Sequence, residues 1–404
     1  MSMLIAILGL GFLILIHEAG HFFTALAVGM RPRKFYVGFP PPLLRTRRRG
    51  IEYGIGSIPL GGYVKIPGMH RPAASDVDLY FARAIGERPQ LFAATTVLRR
   101  RLDEGDLDGA AEELQRLESV LVDVKLSPLA RRSAERGLAE LADALGPDAY
   151  WRQRTWRKVT VIVAGPGTNL LLAVVLFAVL FMIGGGKVTA TVNRVIAGRP
   201  AAHVGLHPGD RILAIDGQKV TATQIRERIT SSQGRPLELL VQRDGRRVVL
   251  GPVKAVKEQG TYLLGFELRA KPLSAPAAAW RSLQVTGDLT KQTGVALAGI
   301  VHRKERRQIS SPVGIVQGSV QVLHEGWEHY LGLLAYLSLS LALLNLLPLL
   351  PLDGGHIAFS LVEGIRGRAV GRHVYERVSV VGMALVLMLF FIGLSNDVGR
   401  VSGG

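Results

Sequence analysis

Four stretches of this sequence are apolar over lengths that would cross a lipid bilayer. They cover residues 3–29, 159–183, 331–352 and 378–394. A helix needs about 20 apolar residues to span the hydrocarbon core. Charged segments separate the four stretches, and the mean hydropathy is +0.25 although 20% of the residues are charged. The pattern predicts a multi-pass α-helical membrane protein with four transmembrane helices. The chain has no cysteine, which excludes disulfides and thiolate chemistry.

The first apolar stretch contains the sequence HEAGH at residues 17–21. Residues four apart share one face of a helix, so His17 and His21 point the same way and can hold one metal ion. Glu18 lies beside them, as in the H-E-x-x-H arrangement of zinc proteases. Two alternatives are a cleaved signal peptide and accidental polarity in a buried helix. The first lacks a basic start, and the second costs about 2.5–3.5 kcal/mol for each charged residue at a helix centre.

Clusters of arginine and lysine orient the predicted helices. They lie in residues 31–49, 152–158 and 366–377, and positive charges in short loops stay in the cytoplasm. Residues 184–330 are then expected outside, together with both termini. The net charge of +17 also suggests nucleic-acid binding as an alternative. However, the arginines flank apolar stretches and form no stripe with aromatic residues. We expect contact with the lipid bilayer and none with nucleic acid.

A third metal ligand is expected from another apolar stretch, at the same membrane depth as the two histidines. By this topology, HEAGH lies in the inner half of the first stretch. The third stretch runs from outside to inside and ends in NLLPLLPLDGGH, whose only acid is Asp353. Asp353 is the predicted third ligand, and His356, two glycines further on, is the competing one. The two prolines of this segment are expected to interrupt the helix.

The segments between the apolar stretches have patterns of their own. Residues 51–67 alternate and contain glycines, which indicates a β-hairpin or loop. Residues 187–270 indicate a compact α/β domain with a hairpin that turns at Asp244-Gly245. Residues 75–150 indicate a small cytoplasmic helical insertion. One of its predicted apolar faces consists of Leu114, Leu117, Leu121 and Val124.

HEAGH and NLLPLLPLDGGH together make the chain similar to the site-2 protease family of intramembrane metalloproteases. AGPGTN at 164–169, IPLGGYVKIPG, a PDZ-like segment and SSPVGI at 310–315 resemble its bacterial branch, the regulator of sigma-E protease type. The resemblance covers most of the chain and keeps the order of the parts. The sequence departs from it in the insertion and in having one PDZ-like domain where some relatives have two, which leaves substrate choice and regulation open.

The resemblance implies a role for each residue of the site. It implies Zn²⁺ bound by His17, His21 and Asp353, with Glu18 as the catalytic base. Asn345 would contact the substrate backbone or the developing oxyanion. The family's Gly-x-x-x-Asn feature maps onto Gly165 and Asn169, near the site. IPLGGYVK resembles a membrane-associated hairpin that pairs with the substrate, so the predicted substrate-binding residues are Gly61, Gly62, Tyr63 and Asn169.

The outer segment resembles a bacterial PDZ domain, with YLLGFEL as its peptide-binding strand. The predicted peptide-binding residues are Leu264, Gly265 and Phe266. An alternative is a size filter that binds no peptide and excludes bulky ectodomains. The predicted organisation is transmembrane helices at 1–30, 158–184, 330–353 and 376–395, a basic loop and hairpin at 31–70, the insertion at 71–157, an extracytoplasmic PDZ-like domain at 185–271 and an amphipathic connecting segment at 272–329.

These features predict a zinc-dependent intramembrane endopeptidase of the bacterial inner membrane, with its active site near the cytoplasmic face. Its expected substrate is a single-pass membrane protein trimmed beforehand by another protease, such as an anti-sigma factor or a remnant signal peptide. A non-enzymatic PDZ scaffold is the alternative, and it has no need to bury four ionisable side chains. A metal transporter is a further alternative. It would need ionisable residues along its pore, but the second and fourth apolar stretches lack them. Residues 75–150 are a candidate site for a cytoplasmic partner.

Overall fold

The structure of the chain is a computed structural model that describes residues 1–258, 260–299, 310–368, 370 and 372–402. Part of the predicted connecting segment, residues 300–309, lies outside the described residues. The chain divides into two compact units, which are described separately. Unit 1 comprises Met1–Ala173 and Asp288–Gly404, and unit 2 comprises Val174–Gly287.

Four helices are long and apolar enough to cross a membrane by length and composition. They are α1 (Ser2–Ala27), α6 (Thr155–Leu180), α11 (Trp327–Asn345) and α13 (Arg372–Ser402). The prediction of four apolar helices is confirmed. The third is shorter than the predicted 330–353, because the chain leaves the helix at Leu346, ahead of Pro348 and Pro351.

Hydrogen bonds from side chains to backbone carbonyls join three of these helices within unit 1. The Thr168 hydroxyl donates to the Ile16 carbonyl at 3.2 Å, which joins α6 to α1. The Ser338 hydroxyl of α11 donates to the Asn169 carbonyl at 2.8 Å, and the Tyr330 hydroxyl donates to the Ile5 carbonyl at 3.1 Å. Such bonds between apolar helices hold them in register where apolar packing alone has little directional preference.

A small antiparallel sheet follows α1. It consists of β1 (Lys34–Arg48) and β2 (Ile51–Lys65), so part of the predicted basic loop is a strand. Both strands bend, and their pairing gives four segments in the order 42–48, 51–56, 34–39 and 58–65. The last segment pairs on one side only, with 34–39, and therefore forms an edge of the sheet among the described strands.

The predicted helical insertion is a four-helix bundle. Its helices are α2 (Ala74–Glu87), α3 (Leu91–Glu104), α4 (Leu107–Asp123) and α5 (Pro128–Leu145). Each contacts the next, and α2 also contacts α5, which closes the bundle. Asp106 and Ser127 cap α4 and α5 by accepting hydrogen bonds from backbone amides. The predicted apolar face of α4 is buried in the bundle core with Phe81 and Leu98, so the insertion has a hydrophobic core of its own.

The remaining helices of unit 1 are short or connecting. They are α10 (Pro312–Glu325), α12 (Asp353–Arg366) and the second part of α9 (Ala275–Gly299). Ser311 caps α10, and its hydroxyl accepts a hydrogen bond from the Gly314 amide. Asp353 is the first residue of α12. The acidic ligand predicted at the end of the third span therefore begins a new helix instead.

Unit 2 is a mixed α/β unit built on a six-stranded sheet. Its strands are β3 (Lys187–Val195), β4 (Arg211–Ile215), β5 (Gln218–Lys219), β6 (Pro236–Arg243), β7 (Arg246–Lys254) and β10 (Phe266–Lys271). The strand order is β10-β3-β4-β6-β7, with β5 paired to β4. A separate two-stranded sheet consists of β8 (Val256–Glu258) and β9 (Thr261–Leu263).

Two helices pack on the six-stranded sheet. Helix α8 (Ala222–Ser231) buries Ile225 and Ile229 in the same core as the sheet, and α7 (Pro200–His203) buries Ala201 there. The hairpin predicted at Asp244-Gly245 is present.

A buried ion pair in unit 2 makes its stability depend on pH. Asp210 is 1% exposed, and Arg243 donates to both of its carboxylate oxygens, at 2.8 and 2.7 Å. Burial alone would raise the pKa of Asp210, but the hydrogen bonds from Arg243 and from the His207 amide outweigh it and lower the pKa. The stabilisation is thus present above the ordinary carboxyl pKa of about 4 and is lost as the pH falls through the lower value in the folded state.

We therefore expect Asp210→Asn to lower the urea midpoint for proteolysis of unit 2 in the full-length protein at pH 7. The difference from the wild type should shrink as the pH falls below about 4. Pulse proteolysis across a pH series measures it. A difference that is constant from pH 7 to pH 3 would contradict the proposed charge dependence.

Candidate metal centre

Three side chains with metal-binding atoms converge inside unit 1. They are His17 and His21 of α1 and Asp353 of α12, and their ligand atoms all lie within 4.8 Å of one another. The Asp353 Oδ2 atom lies 3.0 Å from His17 Nε2 and 3.3 Å from His21 Nε2. The two Nε2 atoms are 3.2 Å apart. The structure therefore brings together the three residues that the sequence predicted as ligands, although α1 and α12 are far apart in the chain.

The contacts of the other ring nitrogens bear on the tautomers of the two histidines. His21 Nδ1–H donates to the Val161 carbonyl at 2.8 Å, which leaves a lone pair on Nε2. His17 Nδ1 lies 3.5 Å from the Asn169 side-chain nitrogen, Nδ2, and the Asn169 oxygen is buried without a partner among the described residues. Exchanging the oxygen and nitrogen of this amide would let His17 Nδ1–H donate to the oxygen and would leave a lone pair on Nε2.

The donor set fits a zinc ion. Two imidazole lone pairs and a carboxylate oxygen face one another at 3.0–3.3 Å, with Asp353 Oδ2 buried and without a hydrogen-bond partner. Lone pairs at this distance repel unless a cation lies between them. Ligand atoms around tetrahedral zinc are also about 3.3 Å apart, given zinc–ligand distances of about 2.0–2.1 Å. Two nitrogens and one oxygen leave a fourth position open, as in catalytic zinc sites.

Glycines let α6 come close to the two histidines. A Cβ atom on Gly165 would lie 2.2 Å from His21 Nε2 and 2.9 Å from His17 Cε1. A Cβ atom on Gly20 would lie 2.5 Å from the Ala164 carbonyl oxygen. Both distances are below any real contact, so neither position accepts a side chain without movement. Gly165 and Asn169, one helical turn apart, thus place α6 against the predicted ligands.

The break after α11 brings Asp353 to the histidines. The chain folds back over residues 346–352, and Cβ atoms on Gly354 and Gly355 would collide with its backbone at 2.2 and 2.5 Å. His356, the competing ligand, is not in the cluster of ligand atoms. Its ring instead forms a hydrogen bond of 2.7 Å with the Tyr375 hydroxyl. Burial lowers the pKa of His356 to about 4, so this ring is neutral at physiological pH.

The edge segment of the small sheet lies against Glu18. A Cβ atom on Gly62 would lie 3.1 Å from Glu18 Cγ, and one on Gly61 would lie 2.6 Å from Ile14 Cγ2. Gly61 has a φ of +128°, a conformation that L side chains rarely adopt. The main chain of three predicted substrate-binding residues, Gly61, Gly62 and Tyr63, therefore follows α1 next to the predicted base.

The other predicted residues are not members of the cluster of ligand atoms. Asn345 is the last residue of α11 and half-buried, and its side chain makes no hydrogen bond to another described residue. In unit 2, Leu264 is 2% exposed, and the Leu264 and Gly265 carbonyls accept hydrogen bonds from Ala201 and Ile196. Among the described strands, β10, which begins at Phe266, pairs with β3 alone. The roles of these residues stay predictions.

Sequence reasoning missed two features of the site. The Val161 carbonyl orients His21, and a backbone acceptor leaves no signature in the sequence. The contact of Asn169 with His17 was also missed, since Asn169 was assigned to the substrate. Its spacing from Gly165 on one face of α6 was the available signal.

The chain is similar to known proteins over nearly its whole length. The pattern of peptidase family M50 matches residues 5–389. A protein of Agrobacterium fabrum that is named as a zinc metalloprotease is 30% identical, over 98% of this chain and 95% of the relative. The metalloprotease MmpA of Caulobacter vibrioides is 28% identical, over 97% of this chain and 94% of the relative. A protein of Enterococcus faecalis named as the protease eep is 27% identical, over 96% of this chain and 97% of the relative.

Four apolar helices, a cluster of two histidines and one aspartate, and these relatives define a membrane metalloprotease. The chain belongs to peptidase family M50, the site-2 protease family, and is a zinc metalloendopeptidase. The resemblance found in the sequence is thus confirmed at the level of the family.

Proposed function

We propose that the protein cleaves peptide bonds in or near the transmembrane segments of membrane-anchored substrates, with zinc held by His17, His21 and Asp353. The convergence of their three ligand atoms within 4.8 Å, two of them on a membrane-spanning helix, carries the proposal. A scaffold would not need three lone pairs facing one another in a buried site. The substrate class is a single-span protein shortened by an earlier protease, such as an anti-sigma factor or a remnant signal peptide.

Each residue of the site has a separate proposed role in hydrolysis. A zinc ion in the site supplies Lewis acidity, which polarises the scissile carbonyl and makes water acidic enough to lose a proton near neutral pH. Glu18 accepts the proton of the attacking water and delivers it to the leaving nitrogen. Asn345, at the end of α11, donates a hydrogen bond to the oxyanion. Val161 and Asn169 hold the two imidazole rings in the tautomers that ligation needs.

The edge segment 58–65 is the proposed docking site for an unwound substrate. A helical substrate hides its carbonyls in internal hydrogen bonds, so it must unwind before hydrolysis. A strand added to this edge would replace the lost bonds and lie beside Glu18. The sheet also exposes Phe39, Leu43 and Leu44, which favours its association with lipid.

The proposed topology follows the arginine clusters. The small sheet, the helical insertion and the active site face the cytoplasm of a bacterial inner membrane, and the PDZ-like segment 185–271 is extracytoplasmic. Unit 2 is proposed as a PDZ-like domain that acts as a size filter, excluding substrates whose ectodomain has not been removed. A peptide ligand on the strand around Leu264 is the alternative, and binding of free carboxyl-terminal peptides to the full-length protein would favour it.

Zinc analysis and cleavage together test the proposed site. The purified wild type should contain one zinc ion per chain and cleave a synthetic single-span peptide interrupted by Gly and Asn, which lower helix stability. Asp353→Ala should weaken zinc binding by more than about a hundredfold and stop cleavage, because a ligand is lost. Asp123→Ala, at an exposed position of the insertion, is the matched control. Full zinc content in Asp353→Ala would remove Asp353 from the site.

A further inference from the structure

The helical insertion contacts the small sheet at the base of its edge segment. The Tyr150 and Trp151 amides, just after α5, donate to the Pro67 and Gly68 carbonyls at 2.9 and 3.0 Å. A Cβ atom on Gly68 would lie 2.9 Å from the Asp143 carbonyl oxygen. The end of α5 therefore packs directly on the residues that follow β2.

Two cations at the base of the sheet point to this end of α5. Arg33 directly precedes β1, and Lys65 ends β2. The Arg33 amide donates to the Lys65 carbonyl at 2.7 Å, so the two residues are neighbours across the sheet. A movement of either residue would therefore also move the last residues of segment 58–65.

Acidic residues of the insertion hold both cations. Arg33 donates from Nε to Asp143 at 2.6 Å and from both Nη atoms to Asp148 at 2.8 and 3.1 Å. Lys65 Nζ lies 3.0 Å from Asp143 and 3.0 Å from Glu140. One carboxylate, Asp143, is shared by the two cations.

The network is more enclosed than an ordinary surface ion pair. The Asp143 side chain is 12% exposed and the Lys65 side chain 19%. Burial lowers the pKa of Lys65, but its hydrogen bonds with Asp143 and Glu140 outweigh burial, and the pKa is raised. Exposed pairs contribute little to stability, whereas partly buried charge-assisted hydrogen bonds with bidentate geometry hold a fixed arrangement.

We propose that the insertion is a brace for the substrate-binding edge, and that Arg33 and Lys65 are positioning residues through which it holds segment 58–65 against Glu18. The bundle has its own core, in which Leu141 and Leu145 anchor α5, so α5 is a firm support. This inference rests on the proposed docking of substrate at the edge. It gives the insertion a part in substrate binding and in the choice of the bond that is cleaved.

Steady-state kinetics of Arg33→Gln test the brace. With the synthetic single-span peptide, KM should rise about tenfold, since hydrogen bonds to charged groups are lost. The value of kcat should change by less than about twofold, because zinc and Glu18 are untouched. Mass spectrometry should find cleavage spread to neighbouring peptide bonds. Arg99→Gln is the matched control, since Arg99 pairs with Asp78 on the same bundle and both side chains are more than half exposed.

A double-mutant cycle and hydrogen exchange separate positioning from mere stability. Asp143→Asn combined with Arg33→Gln should raise KM no more than the more damaging single change, because both act through one network. In a Glu18→Gln background, which removes activity, Arg33→Gln should still speed amide exchange in segment 58–65. Unchanged exchange together with an unchanged KM would overturn the brace. Absent cleavage by the wild type would instead refute the proposed function.

Discussion

Glu18→Gln should lower the cleavage rate by about a thousandfold or more while zinc stays bound at one ion per chain. Glu18 lies next to His17 on α1, but the cluster of ligand atoms consists of His17, His21 and Asp353. The change removes a proton acceptor and conserves shape, so the metal centre stays intact. Peptide cleavage in detergent and zinc analysis of the same sample measure the two effects.

The control for this change is Glu118→Gln, at an exposed position of α4. It carries the same chemical substitution and should leave cleavage and zinc content as in the wild type. Cleavage by Glu18→Gln at about a tenth or more of the wild-type rate would show that another group takes the proton. The proposed mechanism would then be wrong, although the metal site would stand.

Gly165→Ala is expected to have a comparably large effect through a single methyl group. The added Cβ would lie 2.2 Å from His21 Nε2, the atom proposed to bind zinc. Either α6 moves away from α1 or the imidazole ring rotates. Both movements would displace His21 Nε2 from the other proposed ligand atoms. We expect activity to fall by about a hundredfold or more, with a loss of zinc. Zinc titration with a competing chelator measures the affinity.

The same helix provides the control. A Cβ atom on Gly167 would meet nothing within 4 Å, and alanine favours a helix more than glycine does by about 1 kcal/mol. Gly167→Ala should therefore keep zinc and activity and leave thermal stability equal or higher. A Gly165→Ala protein with wild-type zinc affinity would contradict the close approach of α6.

The sequence predicted most of the membrane part, since hydropathy reports long apolar helices directly. It placed the end of the third span at 353, whereas α11 ends at Asn345, because leucines continue the apolar run beyond the point where prolines break the helix. Strand β1 was predicted as a basic loop. Phe35, Val37 and Phe39 do alternate, but arginines and three consecutive prolines at 40–42 conceal the pattern.

The candidate site was predicted to the extent that it depends on membrane depth and helical spacing. Spacing put His17 and His21 on one face, and the arginine clusters put Asp353 at their level. Contacts between distant segments were beyond such reasoning. The bond from His21 to the Val161 carbonyl and the ion network of Asp143 depend on how whole elements pack, and neither residue stands out in the sequence.

The proposed ligands of the metal centre are about 330 residues apart in the chain, from HEAGH at residues 17–21 to Asp353. During synthesis on the ribosome, the two histidines enter the membrane long before the aspartate is made. A nascent chain that has not reached Asp353 holds the two histidines and lacks the third proposed ligand. The three-ligand metal centre therefore cannot form until residue 353 has been synthesised.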